Sequence, residues 1–163
     1  LGAVTNISGE LVNSRLKKLS GRISGIEKRT IRNHITLIGF DTTNSILAEN
    51  LKRNKKHFII IIEDSSLVDK LKDMGYSAFT ANILSELDMK DFKLNKAKKV
   101  IIDIRDTSKT VYAALVAKSL IGNDKNIVVV ATTLELEKYL RTVGINNIIN
   151  PASMAAAEIS KNM

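Results

Sequence analysis

The first segment able to do chemistry is Gly39-Phe40-Asp41-Thr42-Thr43-Asn44, directly after the apolar run Ile35-Thr36-Leu37-Ile38. A glycine turn between a strand and a helix is how dinucleotides are held, and three glycines do three jobs there. The first permits the tight turn, the second lets the backbone approach the pyrophosphate, and the third lets the helix pack on the strand. Here only Gly39 remains. Asp41 stands in place of the second and aims a carboxylate at the phosphate approach, and Asn44 replaces the third. Thr42, Thr43 and Ser45 offer hydroxyls, and the free N–H groups of a helix start favour an anion. A carboxylate opposes both. Asp41 is therefore read first as the helix cap and otherwise as a cation ligand.

Two more acidic groups end apolar runs. Glu63-Asp64 closes the second run, where an acid normally grips a ribose hydroxyl; the plain alternative is a solvated strand end beside the cap of the helix starting at Ser65. The fourth run ends Asp103-Ile104-Arg105-Asp106. A carboxylate inside an apolar strand needs partners, and Arg105 or the main-chain N–H groups of a neighbouring loop are the candidates. A salt bridge at the strand edge is the first reading of Asp103 and a role in the crevice the second.

No catalytic set accompanies these groups. The chain lacks Cys, which removes disulfides, thiolate catalysis and Cys-based metal sites. His34 and His57 are far apart in sequence and read as residues at strand entrances. There is no Tyr-x-x-x-Lys pair, since Val116 lies four residues after Tyr112, and no lysine-bearing phosphate loop. The chain is read as a non-enzyme with no assigned cofactor or metal ligand, its effector a divalent cation or a nucleotide. Aromatics make up 4% of residues and Trp is absent, which leaves little for stacking on bases.

What must position these groups is an alternation of short β-branched runs and helical stretches. Runs at 34–40, 57–63, 76–80, 98–104, 126–132 and 145–149 are apolar on both faces, as in a parallel sheet covered by helices. Helical patterns lie between them at 43–54, 65–74, 85–91, 107–121, 133–142 and 151–161. Thr107 and Ser108 are placed to cap the fourth helix and Gly122 to end it. Pro151 suits the first turn of the last. With right-handed crossovers this gives an α/β fold, a doubly wound, Rossmann-like, six-stranded parallel sheet.

The formal charge of +8 is uneven. Residues 1–33 hold seven Lys and Arg against two Glu, and the other 130 residues carry 18 basic and 15 acidic groups. A basic leader near an anionic surface fits that pattern. Within it, Leu11, Leu16, Leu19, Ile23 and Ile26 form a narrow apolar stripe interrupted by Gly21 and Gly25, which reads equally as a helix or a flexible linker. A start at Leu1 suggests a piece of something longer.

The ordered set of segments resembles the RCK family, the regulators of potassium conductance, also met in bacterial potassium-uptake subunits. Its marks are Arg32-Asn33-His34-Ile35-Thr36-Leu37-Ile38-Gly39, then Ile62-Glu63-Asp64 with Val68-Asp69-Lys70-Leu71 and Gly75. Ala97-Lys98-Lys99-Val100-Ile101-Ile102 follows, and Leu140-Arg141-Thr142-Val143-Gly144 leads to Ile148-Ile149-Asn150-Pro151. The resemblance implies a linker or pore-helix end at 1–31 and an N-terminal lobe at 32–163. It implies a cytosolic gating-ring domain at the cytoplasmic face of the cell membrane, coupling ligand or ion binding to a pore. A soluble nucleotide-binding subunit of a potassium-uptake transporter is the alternative. Where relatives carry Gly-Asp after the third strand this chain has Ala81-Asn82, which with the degenerate loop points to the channel-linked branch. Implied partners are the pore and a second copy, as a dimer within a tetrameric or octameric ring, and no nucleic acid. The implied assembly faces include Val111, Tyr112, Leu115, Val116 and Leu134.

Overall fold

A computed structural model describes residues 31–163. The expectations for the basic leader, including the stripe between 10 and 29, lie outside the described residues.

Six strands form one all-parallel sheet: β1 Ile35–Ile38, β2 Phe58–Ile62, β3 Ala78–Thr80, β4 Lys99–Ile102, β5 Ile127–Val130 and β6 Ile148–Ile149. Their order is β3-β2-β1-β4-β5-β6. Central β1 pairs Ile35 with Phe58 on one side and with Lys99 on the other. The chain winds outward from β1 through β2 and β3, then returns to β4. That reversal opens a crevice beyond the carboxyl ends of β1 and β4. The expected doubly wound sheet is present.

The runs of Ile and Val form strands because β-branched side chains pack well on a pleated surface. All five residues of β2 are buried, so both sides need cover. On one side Ile38, Ile61, Ile102 and Val129 meet Met89 of α3 (Glu86–Lys90), Ala113, Ala114 and Ala117 of α4 (Thr107–Ile121), and Leu136 and Leu140 of α5 (Leu134–Thr142). On the other side Leu37, Ile60, Ile62 and Ile101 meet Ala48 of α1 (Thr42–Arg53) and Val68 and Leu71 of α2 (Ser65–Asp73). Three alanines on α4 bring its axis close to the strands. Helix α6 (Pro151–Lys161) buries none of its residues.

Helix starts are set by side-chain oxygens taking first-turn N–H groups. Asp64 caps α2, Ser85 α3, Thr133 α5, and Asn150, followed by Pro151, α6. At α4 the cap is Asp106, whose carboxylate accepts the Lys109 N–H at 2.8 Å. This corrects the expectation for Thr107 and Ser108, which are already helical and cannot fold back. The sixth strand is shorter than expected, because the Ile145 N–H is taken by the Leu140 carbonyl at 2.9 Å and never reaches the ladder.

Candidate functional site

The carboxyl ends of β1, β2 and β4 enclose a cleft of about 370 Å³. It is lined by the turn 39–41, by Ile62, Glu63 and Asp64, by Ile83, and by residues 103–105. Gly39 has φ 80°, and a Cβ there would run into the Asp103 carbonyl and stand 2.7 Å from Ile104 Cγ1. This glycine lets the β1 turn pass hard against the end of β4.

Asp41 occupies the N-cap position of α1 with extended backbone, yet its side chain makes no capping bond. Its carboxylate instead accepts from Arg105 Nε at 3.3 Å and Nη2 at 3.2 Å. The expected cap is thus corrected: the guanidinium turns the carboxylate away from the helix start and holds its pKa below the ordinary value.

The acid that serves the helix start is Asp103. It is 2% exposed, and its Oδ2 accepts the Asn44 main-chain N–H at 2.8 Å. Burial pushes this carboxyl above its usual range, while the Asn44 N–H favours the ionised form; the charge of Asp41 raises it further, and the Thr43 amide opposes. The first reading, a strand-edge salt bridge with Arg105, is corrected. Arg105 is engaged with Asp41, and the alternative partner, a loop N–H, is the one observed.

Asn44, read only as a missing glycine, proves central. It is wholly buried, and its Nδ2 donates to the carbonyls of Gly39 at 2.9 Å, Ile38 at 3.2 Å and Ile101 at 3.4 Å. It ties α1 to the ends of both β1 and β4. A small amide at a close-packed glycine position was the available signal.

The remaining residues separate. Glu63 accepts from Lys109 Nζ of α4 at 2.5 Å, which raises the lysine pKa. Asp64 lines the cleft and also caps α2, accepting from Ser66 and Leu67 N–H at 2.9 and 3.2 Å. Thr42 and Thr43 sit at the start of α1 outside the cleft lining; the Thr42 hydroxyl donates to Asp41 at 3.5 Å. Asn82 turns the loop after β3, donating its N–H to Asp88 and accepting the Leu84 N–H, and does not line the cleft. Among the described residues no group of three or more His, Cys, Asp or Glu is placed to hold a metal ion.

Of the five assembly residues, Tyr112 is 61% exposed, Leu115 38% and Leu134 72%. Val111 is partly buried, and Val116, 6% exposed, belongs to the core. Val116 is spent on the sheet because it shares the inward stripe of α4 with Ala113 and Ala117.

Residues 35–151 match the family model described as the TrkA-N domain. Potassium channel protein 1 of Methanocaldococcus jannaschii is 26% identical over 152 residues, covering 90% of this chain and 43% of the relative. The chain thus spans less than half of that relative's length. Among solved structures, the TrkA-N domain of the inner membrane protein ybaL from Escherichia coli superposes with a TM-score of 0.72 at 22% identity, covering 82% of this chain and 98% of that one. The GsuK channel bound to NAD gives 0.68 at 16% identity, covering 79% of this chain and 22% of that one. At these identities the structural likeness shows the fold alone.

Proposed function

The chain belongs to the TrkA-N family, and from that premise we propose that it is a regulatory, non-catalytic lobe of a potassium channel or potassium-uptake system. The observation that carries the reading is the Asp103 carboxylate seated on the Asn44 N–H. In a dinucleotide site the first-turn amides of this helix receive the diphosphate. Here an internal anion already holds that place, buried and hydrogen-bonded, beside a second carboxylate at Asp41. A diphosphate would have to displace one and repel the other.

Two partly exposed ion pairs reach the cleft lining, Arg105 with Asp41 and Lys109, itself outside the lining, with Glu63. Pairs of this kind are weak and open readily. They join the β4 loop to α1 and α4 to the end of β2, so a ligand that breaks one changes how these elements sit. Such a ligand biases gating only by its differential affinity for two arrangements of the lobe. Tyr112, Leu115 and Leu134 supply apolar contact for a second copy, and pairing in a ring multiplies a small bias per lobe. The lobe then works at the cytoplasmic face, coupled to a pore.

The second reading is a soluble subunit whose nucleotide regulates an uptake transporter. What favours it is Glu63, which lines the cleft at the end of β2 where a ribose hydroxyl would be held.

The test is potassium uptake by a bacterium lacking its own uptake systems and carrying the full-length gene, intact or with residues 35–151 deleted. Uptake whose control is lost with the segment supports the reading. Uptake indifferent to the deletion, or hydride transfer by the purified chain with a nicotinamide cofactor, contradicts it.

A further inference from the structure

The acidic cleft has a counterpart at the opposite, amino-terminal edge of the sheet. A concavity of about 410 Å³ lies there, lined by Ile31, Arg32, Lys93, Asn95 and Lys96. Of the described residues that line it, three are cations and none is an acid. Several cations of the lobe are paired: Arg53 with Glu49, Arg105 with Asp41, Lys109 with Glu63, Arg141 with Glu137 and Lys161 with Glu158. Among the described residues Arg32, Lys93 and Lys96 have no such partner. Like charges that share one concavity repel each other.

The backbone holds them together regardless. The Asn33 N–H donates to the Lys96 carbonyl at 2.9 Å, tying the segment before β1 to the short 3-10 turn Leu94–Lys96. Asn33 and Lys93 both take left-handed backbone, with φ 55° and 47°, as does Lys55 outside the concavity, with φ 51°. A lysine is strained in that region, where glycine would be relaxed. Its presence keeps an ammonium group at the rim.

We propose that this concavity binds a phosphate-class anion, with Arg32 gripping oxygens through its planar fork and Lys93, Lys96 and the Asn95 amide completing the set. Three cations suit the double charge and tetrahedral oxygens of a phosphomonoester better than the single charge of a carboxylate. The surrounding field agrees. On the same edge Lys55, Lys56, Lys98, Lys99 and Lys125 outnumber Asp73, Asp91 and Asp124, whereas on the other Asp41, Glu63, Asp64 and Asp103 outnumber Arg105 and Lys109, so an anion is steered to this edge and away from the cleft. The site stands whatever the cleft binds. The phosphate can be free in solution or carried on a lipid headgroup.

Two double variants of equal charge test it: Arg32→Gln with Lys96→Gln inside the concavity, and Lys55→Gln with Lys56→Gln outside it. In one arm inorganic phosphate is titrated at constant ionic strength and the melting temperature is followed. In the other, the chain is pelleted with phosphatidylcholine vesicles containing or lacking phosphatidic acid, whose headgroup is a phosphomonoester. The expected result is at least a tenfold loss of affinity in the inner variant with the outer one close to wild type. Loss in the phosphate arm alone identifies a free ligand, and loss in the vesicle arm a headgroup. Equal loss in both variants, or no selective loss in either arm, overturns the proposal. Lys93→Gly gives an independent check: it should raise the melting temperature in chloride by releasing strain, yet weaken anion binding. A glycine variant that binds like wild type also counts against the site.

Discussion

The residue that most affects what the cleft accepts is Asp103. Its carboxylate forms a buried, charge-assisted hydrogen bond to the Asn44 N–H, and losing such a bond costs about 1–3 kcal/mol. Asp103→Ala should lower stability by that order in chemical denaturation. Added ADP or pyrophosphate should restore part of the loss by filling the emptied seat. Asp41→Gly should do much less, since the Asp41 carboxylate is already drawn aside by Arg105. A different residue scale effect belongs to His34, fully buried at the start of β1, its ring 6.2 Å from that of His57. Burial first, and the neighbouring His57 second, bring its pKa from 6.5 down to about 4, with the Phe92 backbone opposing. The folded state disfavours the proton, so His34 contributes fully above pH 6.5 and its contribution fades as pH falls towards 4. Across that window roughly 3 kcal/mol is at stake. Asp103, whose pKa is raised, acts in the opposite sense at the acid end. Urea denaturation against pH should slope upward between pH 4 and 6.5, and His34→Leu should flatten it; an unchanged slope in that variant refutes the assignment.

At the scale of elements, α1 is held to the sheet by one buried side chain. Asn44→Ala removes donors from three carbonyls and should cost about 2–3 kcal/mol, with amide exchange accelerated first in α1. At α4 the cap distinguishes two neighbours: Asp106→Ala should cost about 1 kcal/mol, and Thr107→Ala almost nothing. The elements themselves were plain in the sequence. Uninterrupted runs such as Phe58 to Ile62 announce strands covered on both sides, and Gly122 and Pro151 mark helix boundaries where the structure has them. The pairing of the acids was not legible. Asp41 finds Arg105 and Asp103 finds Asn44 across separations of 64 and 59 residues. Local spacing favours the near partner, Asp103 with Arg105, two residues away. Only the β1–β4 pairing in the sheet brings the true partners within reach. Asn44 escaped for a related reason, since its role is to satisfy carbonyls of two strands that are distant in the chain.

At the scale of the whole molecule, an acidic, self-occupied cleft at one edge of the sheet stands opposite a cationic base at the other, with apolar side chains exposed on α4 and α5. If Tyr112 and Leu134 meet a second copy, Tyr112→Glu with Leu134→Glu should shift the chain from dimer to monomer in light scattering without lowering its melting temperature; an unaltered mass removes these residues from the interface. In this lobe the seat for a diphosphate is filled from within, by the Asp103 carboxylate on the Asn44 N–H. The most direct measurement is amide NMR of Asn44 and Thr43 during ADP titration of the wild-type chain and of Asp103→Ala. The expected result is wild-type amides that stay in place at millimolar ADP, and variant amides that move with at least tenfold higher affinity. Wild-type amides that shift on binding ADP tightly, or a variant that gains nothing, would contradict it.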